Sequence, residues 1–356
     1  MQASDLLFAS TAPGEKPFSY LLVNLLLIDI RSSCPTLLEK LNTAEYEKTA
    51  ATLTSAYDVV SAFVWFLVRS LDDDEVSFAV NPDLLLNLRA SISEMVSVTM
   101  EYLRDRWDAS VAGAMGLHPD ARVGKAETSM GSRLTLAWDS AKDVAGDDPL
   151  VLAAVRTVAI WLREDENDVL RNEGSGLLDM FMDLYRQSPS GKLDFRSSVL
   201  VALEGIMATP TGSETFLTND GWKTLVDDIL IILQHTTRES DETESSRGID
   251  VVRILLPLVE AETSGMREDW MNTITAVAAW DTPDAEQRPL VQEFQVAVLQ
   301  LCSSLLANAG PGMRRRYIHS TTAILGIASH LRRNIDGNGP LREPLDDVLV
   351  TLDSLR

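Results

Sequence analysis

The chain has 356 residues with 31 Lys plus Arg against 53 Asp plus Glu, which gives a formal net charge of −22. This length exceeds what one compact core usually encloses, so it predicts two domains or one elongated repeat array. The negative charge argues against nucleic acid or an anionic membrane as the main partner, because phosphate binding depends on clustered cations. Apolar residues make up 45% of the chain and charged residues 24%, which excludes wholesale disorder.

The cysteines and the N-terminus indicate a soluble protein of a reducing compartment. Cys34 and Cys302 lie far apart and form no Cys-x-x-Cys spacing, so neither a disulfide framework nor a cysteine-rich zinc site is predicted. The first residues lack the basic region of a secretory signal. The most apolar stretch, residues 21–30, is interrupted by Asn24 and Asp29 and is shorter than the about 18–20 apolar residues of a membrane span. We therefore expect a cytoplasmic protein without membrane insertion.

Apolar residues recur every three to four positions along the first part of the chain, which predicts helices. Pro17 can occupy the first helical position ahead of Phe18, and Pro35 is expected to restart a short helix. A second long helix is predicted from Ala44 to about Leu71. Its central residues 59–68 are apolar nearly all round, so this part is expected to lie between neighbouring helices.

The next helix begins at Asn81, which caps it, and Pro82, and it is predicted to reach about Trp107. Alternating patterns typical of strands are nearly absent from the whole chain. Residues 112–132 contain four glycines and few large apolar groups, which predicts a long loop. Residues 236–248 are polar almost throughout, which predicts a mobile loop.

The second half of the chain repeats a pattern in which Asp148 caps a helix opened by Pro149, and two further apolar helices follow. A shift of about 47 residues, typical of armadillo or HEAT units, superposes seven positions of similar type. These are Val169 on Phe216, Leu170 on Leu217, Asn172 on Asn219, Glu173 on Asp220, Gly174 on Gly221, Leu178 on Leu225 and Met182 on Ile229. Gly221 is expected to permit a tight turn between crossing helices.

Stacking of such units predicts an all-α fold, an armadillo/HEAT-like α-solenoid in which helix pairs or triplets form a right-handed superhelix. We expect one continuous solenoid over residues 1–356. Residues 1–145 are predicted to form less regular helical repeats, and residues 146–356 the clearer ones.

Two parts of the sequence are similar to the neurochondrin family of cytoplasmic helical-repeat proteins. They are Lys16–Arg31 and Val155–Asp165, the second continued by Leu170–Glu173, while the segment after Gly212 resembles the general armadillo repeat. The resemblance implies a non-enzymatic adaptor, of a family studied in animals for signalling and neuronal outgrowth through contacts with receptor tails and other proteins. It further implies that the chain corresponds to the later, C-terminal part of a longer member. The acylated cysteines expected near the start of animal members have no counterpart here.

The sequence contains no pattern that predicts an active site. A phosphate-binding Gly-x4-Gly-Lys-Ser/Thr loop and a zinc-binding His-Glu-x2-His are both absent. The four histidines are scattered, and His319 and His330 are too far apart to bind one metal from a single helical turn. Cys34 and Cys302 are interpreted as small buried apolar residues without a neighbouring base. No catalytic residue, cofactor or metal ligand is therefore predicted.

The tryptophans do not form a recognition ladder, because none of the seven is followed four residues later by Asn. This disfavours the groove with which armadillo nuclear-import adaptors bind basic signals. Trp65, Trp161 and Trp222 lie on apolar stripes and are expected in the core.

One dense group of cations stands out in this acidic chain and consists of Arg314, Arg315 and Arg316, followed by Tyr317. Two interpretations are open. The group is a solvated helix start, or it is a docking point for an acidic partner or a phosphate.

These features favour a cytoplasmic protein-interaction scaffold whose surface binds an extended, basic or amphipathic segment of a partner. An acidic surface would favour basic segments and faster association at low salt. A chaperone or exchange factor for a signalling GTPase is an alternative within the same class. An enzyme with a dispersed site is the alternative from another class.

Overall fold

A computed structural model describes residues 18–41, 43–72, 82–111, 144–235, 242–262, 267–282, 287–335 and 339–355. Over these residues the chain forms fifteen α-helices and no strand, which confirms the predicted all-α class. The helices are α1 (Phe18–Leu37), α2 (Ala44–Asp72), α3 (Pro82–Val111), α4 (Pro149–Glu164), α5 (Asp168–Ser175), α6 (Leu178–Gln187), α7 (Arg196–Ile206), α8 (Pro210–Thr218), α9 (Gly221–His235), α10 (Glu242–Ala261), α11 (Asn272–Ala278), α12 (Pro289–Asn308), α13 (Pro311–Arg316), α14 (Ile318–Asn334) and α15 (Arg342–Ser354).

The chain divides into two compact units, residues 1–215 and residues 216–356. In the first unit α1 packs on α2 and α3, both of these pack on α4, and α4 packs on α7. In the second unit α9 packs on α10, α10 on α12 and α12 on α15, while α11 packs on α14. Within each unit, helices thus contact partners that are near in sequence, as repeat proteins do. One superhelix over residues 1–356 stays a prediction.

Three groups of consecutive helices share one order, in which a longer helix is followed by a shorter helix and then by a third helix. These triplets are α4–α5–α6, α7–α8–α9 and α12–α13–α14. The helices of the second triplet begin 47, 42 and 43 residues after those of the first (149 to 196, 168 to 210, 178 to 221). The shift of 47 therefore fits the first helix and is about one turn too long for the other two. Accordingly, Gly174 lies within α5, whereas Gly221 is the first residue of α9.

The tight turn predicted at Gly221 is present. A Cβ atom added to Gly221 would lie 2.3 Å from the Phe216 ring, and Phe216 is fully buried. Asp220, just before it, has a φ of 56°, in the left-handed region that Asp tolerates better than most residues. A side chain at position 221 is therefore excluded by the ring that fills the turn.

Two helix boundaries differ from expectation. Pro35 lies in the last turn of α1, which continues to Leu37, so it does not start a new helix. Because proline has no N–H, the last turn of α1 has one intrahelical hydrogen bond fewer. The helix that begins at Pro82 reaches Val111, four residues beyond the predicted Trp107.

The predicted mobile loop 236–248 is wrong for its second half, because residues 242–248 form the start of α10. Gly248 is buried there, and a Cβ atom on it would lie 2.3 Å from the Phe294 ring of α12. Packing against α12 thus orders a segment whose polar composition alone favours a loop. Residues 236–241 and the predicted loop 112–132 lie outside the described residues.

A buried polar cluster fixes the start of α4 against α2 and α3. The Asp148 carboxylate caps α4 by accepting from the Leu150 N–H at 2.9 Å, and the Tyr46 hydroxyl donates to the same carboxylate. Arg106, almost completely buried, holds Nη2 at 3.7 Å from Asp148 Oδ2. Burial, followed by the Asp148 charge, raises the pKa of Tyr46, so this hydroxyl stays protonated and acts as a donor. The Asp148 cap predicted from the sequence is confirmed.

Candidate protein-interaction surfaces

The predicted cation cluster lies in α13 and the turn after it, and its members have separate roles. Arg314 is half-buried, and its Nε donates to the Leu306 carbonyl at 3.1 Å while Nη2 donates to the Ala307 carbonyl. These carbonyls belong to the last turn of α12, where no intrahelical partner exists. The guanidinium of Arg314 therefore caps a helix.

The same type of cap occurs in the first unit. Arg171 in the short helix α5 donates from Nε to the Leu162 carbonyl at 3.1 Å and from Nη2 to the Arg163 carbonyl at 3.3 Å, at the end of α4. In both triplets an arginine of the short helix thus satisfies the last carbonyls of the longer helix before it. This recurrence explains Arg314 by the architecture of the repeat.

The other members of the cluster are at the surface. Arg316 forms an ion pair with Glu268, and its guanidinium carbon lies 6.0 Å from the centroid of the Tyr317 ring. Arg315 is exposed and forms no ion pair with any described residue. It lines, together with Pro311, Arg314, Ile318 and Leu355, a shallow groove of about 300 Å³. Arg315 is thus the cation of the cluster that is available to a partner.

A row of large apolar side chains is exposed along one face of α1. We define the α1 stripe as Phe18, Leu21, Leu25 and Ile28, whose exposed fractions are 60%, 47%, 65% and 54%. Their spacing of three, four and three residues places them on one side of the helix. The opposite side is completely buried at Val23, Leu27 and Ile30. Helix α1 therefore has an apolar face toward its neighbours and another toward solvent.

Sequence analysis missed this stripe because apolar spacing predicts a helix without showing which of its sides a neighbour covers. The usable signal was that α1 is apolar on all sides, whereas a helix packed on one side needs one apolar face. The same error affects Trp65, which was expected in the core and is 49% exposed. Trp161 and Trp222 are buried as predicted, and Trp222 stacks on Trp270 with ring centroids 4.1 Å apart.

Polar groups lie on both sides of the α1 stripe. On the α2 side there is a groove of about 380 Å³, whose lining includes Asp29, Ser33, Glu45, Lys48 and Thr49. On the α3 side, Arg31 of α1 forms an ion pair with Glu94 of α3. The apolar face is therefore bordered by carboxylates on both sides.

Farther along α3 there is a row of acidic side chains. Glu101, Asp105 and Asp108 are all exposed and share one face, since they are spaced by four and three residues. None of the three forms an ion pair with a described residue. Their negative charge is therefore not neutralised within the described part of the first unit.

The two cysteines lie in the core, as the sequence predicts, and the two histidines of α14 do not. Cys34 and Cys302 are buried, and burial is the main cause that raises the pKa of Cys34 to about 11 and that of Cys302 to about 12. His319 is exposed, and His330 is half-buried about three turns farther along α14. Across the described ranges, no group of three or more His, Cys, Asp or Glu side chains is placed to bind a metal ion.

Three helical segments are long and apolar enough to cross a membrane, judged by length and composition. They are Phe18–Lys40, Ala44–Ser70 and Pro289–Asn308, and 33%, 44% and 61% of their most apolar windows are buried within the protein. Residues 21–30, interpreted from the sequence as interrupted and too short for a membrane span, thus lie within a longer candidate segment. Packing within the protein buries most of the apolar window of Pro289–Asn308, whereas it buries the smallest share in Phe18–Lys40.

The family model described as Neurochondrin matches residues 1–301 of the chain. An uncharacterized protein of Schizosaccharomyces pombe is 26% identical over 223 residues, which cover 62% of this chain and 34% of the relative. The match thus spans about a third of the length of that relative. No solved structure matches the chain.

Proposed function

Because the chain belongs to the neurochondrin family, as the match over residues 1–301 shows, we propose that it is a non-enzymatic protein-interaction scaffold of the cytoplasm. In this role it binds segments of partner proteins on exposed helix faces and catalyses no reaction itself. The neurochondrin family is not a known enzyme family, and this supports the proposal.

The observation that carries the proposal is the α1 stripe. Exposed apolar patches on a folded protein mark places where another surface binds, because burying them releases ordered water. Ten large apolar residues are exposed among the described ones, and four of them lie together on this one helix face. Isolated exposed side chains need no explanation, but an aligned group of four favours a binding surface.

The charge of the protein supports a preference for basic partners. The net charge is −22, and the acidic row on α3 is not paired within the described residues. Such a surface attracts a cationic segment over roughly one Debye length, about 8 Å at physiological salt. Association with a basic partner is therefore expected to become faster and tighter as salt is lowered.

Arg315 is a second, smaller candidate contact. It lies exposed at a groove that Arg314 and the apolar side chains of Pro311, Ile318 and Leu355 also line. This combination suits a carboxylate or phosphate group attached to an apolar residue of a partner. Arg315→Glu tests this contact without disturbing the cap that Arg314 provides.

The scaffold role is tested by affinity capture with quantitative mass spectrometry, followed by reconstitution with each purified partner over a series of ionic strengths. We expect direct complexes whose affinity falls as salt rises. The proposal fails if no captured protein binds directly once purified, or if a purified preparation shows turnover that one pocket carboxylate variant abolishes. Binding that does not respond to salt would remove the electrostatic part of the proposal alone.

A further inference from the structure

The α1 stripe is about 15 Å long, because ten residues separate Phe18 from Ile28 and each adds about 1.5 Å along a helix. An apolar row of this length corresponds to three turns. A second helix that presents residues at i, i+3, i+4 and i+7 would cover it, which is the usual way in which a helix binds a helical surface. The shape of the surface thus favours a helical occupant over an extended one.

The borders of the stripe determine the charge of that occupant. Asp29 and Glu45 lie on the α2 side, and Glu94 lies on the α3 side with an exposed side-chain fraction of 66%. Arg31 pairs with Glu94 and Lys40 lies 3.6 Å from Glu45, so an incoming cation shares these two carboxylates with a cation of the protein. Asp29 forms no ion pair with a described residue. Lys48 is the one cation in the lining of the groove. Basic side chains at the edges of an incoming helix therefore have carboxylates within reach on both sides.

We propose that the α1 stripe binds a basic amphipathic helix of a partner protein, whose apolar face covers Leu21, Leu25 and Ile28 and whose flanking Lys or Arg residues meet Asp29, Glu45 and Glu94. This inference rests on the proposed scaffold function and names the surface and the partner class. The hydroxyls of Ser33 and Thr49 in the groove supply hydrogen-bond partners for the polar edge of such a helix.

Two other occupants fit the apolar row less well. A second copy of this chain carries the same charge of −22 and would bring the same carboxylates together across the contact. Like charges facing each other across an interface disfavour association. An anionic lipid surface is repelled for the same reason, and a zwitterionic surface has no net positive charge to match the carboxylates.

The test uses a fluorescent synthetic 18-residue peptide with Leu on one helical face and Lys on the rest, titrated with the full chain at about 0.15 M salt. A peptide of the same composition in scrambled order keeps the charge and loses the apolar face. The variant Leu25→Gln/Ile28→Gln removes the centre of the stripe without changing charge. Ile231→Gln, which replaces an apolar residue that is 50% exposed in the second unit, is the matched control.

We expect the ordered peptide to bind at least tenfold more tightly than the scrambled one. We also expect the double variant to lose at least tenfold in affinity and Ile231→Gln to lose less than twofold. Asp29→Asn/Glu45→Gln should weaken binding several-fold and reduce its salt dependence. Unchanged far-UV circular dichroism and melting temperature show that the variants are folded.

Several results would overturn the inference. Equal binding of both peptides, or wild-type affinity in the double variant, would show that the stripe is not the site. Sedimentation of the wild-type chain as a dimer that the double variant abolishes would assign the stripe to a second copy. Binding to phosphatidylcholine vesicles that the double variant abolishes would assign it to lipid. If captured partners still bind the double variant, the inference fails while the scaffold function stands, whereas a lack of any direct partner refutes the scaffold function itself.

Discussion

Gly205 marks a close approach of two helices in the first unit, and replacing it with alanine tests their packing. A Cβ atom on Gly205 of α7 would lie 2.3 Å from the Leu162 carbonyl oxygen and 2.8 Å from the Arg163 nitrogen at the end of α4. Real Cβ atoms essentially never come within 3.0 Å of such atoms, so α7 must move by at least 0.7 Å (3.0 − 2.3). The atoms in the way belong to the backbone of α4, which cannot change rotamer as a side chain can.

The expected effect of Gly205→Ala follows from two opposing contributions. Overpacking of this kind costs about 1–3 kcal/mol, and the rigid partner places it at the upper end. Alanine gains up to about 1 kcal/mol over glycine in a helix, which offsets part of the cost. We therefore expect the free energy of unfolding to fall by about 2 kcal/mol.

Urea unfolding followed by far-UV circular dichroism and tryptophan fluorescence measures this change. Gly326→Ala is the matched control, because Gly326 is exposed in the middle of α14 and a Cβ there meets nothing within 4 Å. The control is expected to be stabilised by up to about 1 kcal/mol. A Gly205→Ala protein as stable as the wild type would refute the close crossing of α4 and α7.

Three further predictions concern caps, a buried charge and the native thiols. Arg314→Ala should lower the free energy of unfolding by about 1–2 kcal/mol, because the Ala307 carbonyl loses its guanidinium donor and the Leu306 carbonyl keeps only the Ala309 N–H at 3.3 Å. Arg315→Ala should change it by less than about 0.5 kcal/mol, and thermal unfolding compares the two variants. Asp148→Ala should cost about 3 kcal/mol or more in urea unfolding, because it removes the cap of α4 and a carboxylate beside the buried Arg106 guanidinium. A loss below about 1 kcal/mol would contradict the buried cluster. Cys34 and Cys302 should not react with a thiol reagent at pH 8 until urea unfolds the unit that contains each of them, and fast labelling of either in the native protein would show that it is not buried. The pKa of the Cys34 thiol rises from 9.0 in the unfolded chain to about 11 in the folded protein. Its ionisation should therefore lower the free energy of unfolding as pH increases from about 9 to 11 and have no effect at lower pH. Unfolding midpoints measured across this pH range check the sign.

The class of fold could be predicted from the sequence because each helix carries its own signals. Asp148 followed by Pro149 indicates a helix start from two adjacent residues, and the Asp148 side chain caps α4 as expected. The spacing around Gly221 predicted the turn that Phe216 fills. Local chemistry of this kind does not depend on which helices later pack together.

The candidate site could be predicted only in part, because exposure depends on neighbours that the sequence does not specify. The α1 stripe and Trp65 consist of apolar residues at helical spacing, and this pattern is the same whether a neighbour covers them or not. The separate roles within the cation cluster could not be predicted for another reason. Arg314 contacts backbone carbonyls seven and eight residues earlier in the chain, and the sequence does not show this contact. The sequence shows three equivalent arginines, whereas in the fold Arg314 caps a helix and Arg316 forms an ion pair.

The most direct test of the account is whether the outer face of α1 is open in the free protein. A Leu25→Cys variant adds one thiol at a position that is 65% exposed, and Cys34 in the same helix, 1% exposed, is an internal reference. We expect the new thiol to react stoichiometrically, at nearly the rate of a small free thiol, while Cys34 and Cys302 remain unreacted. Labelling of position 25 as slow as that of Cys34, in a protein shown to be monomeric, would contradict an exposed α1 stripe and the binding surface inferred from it.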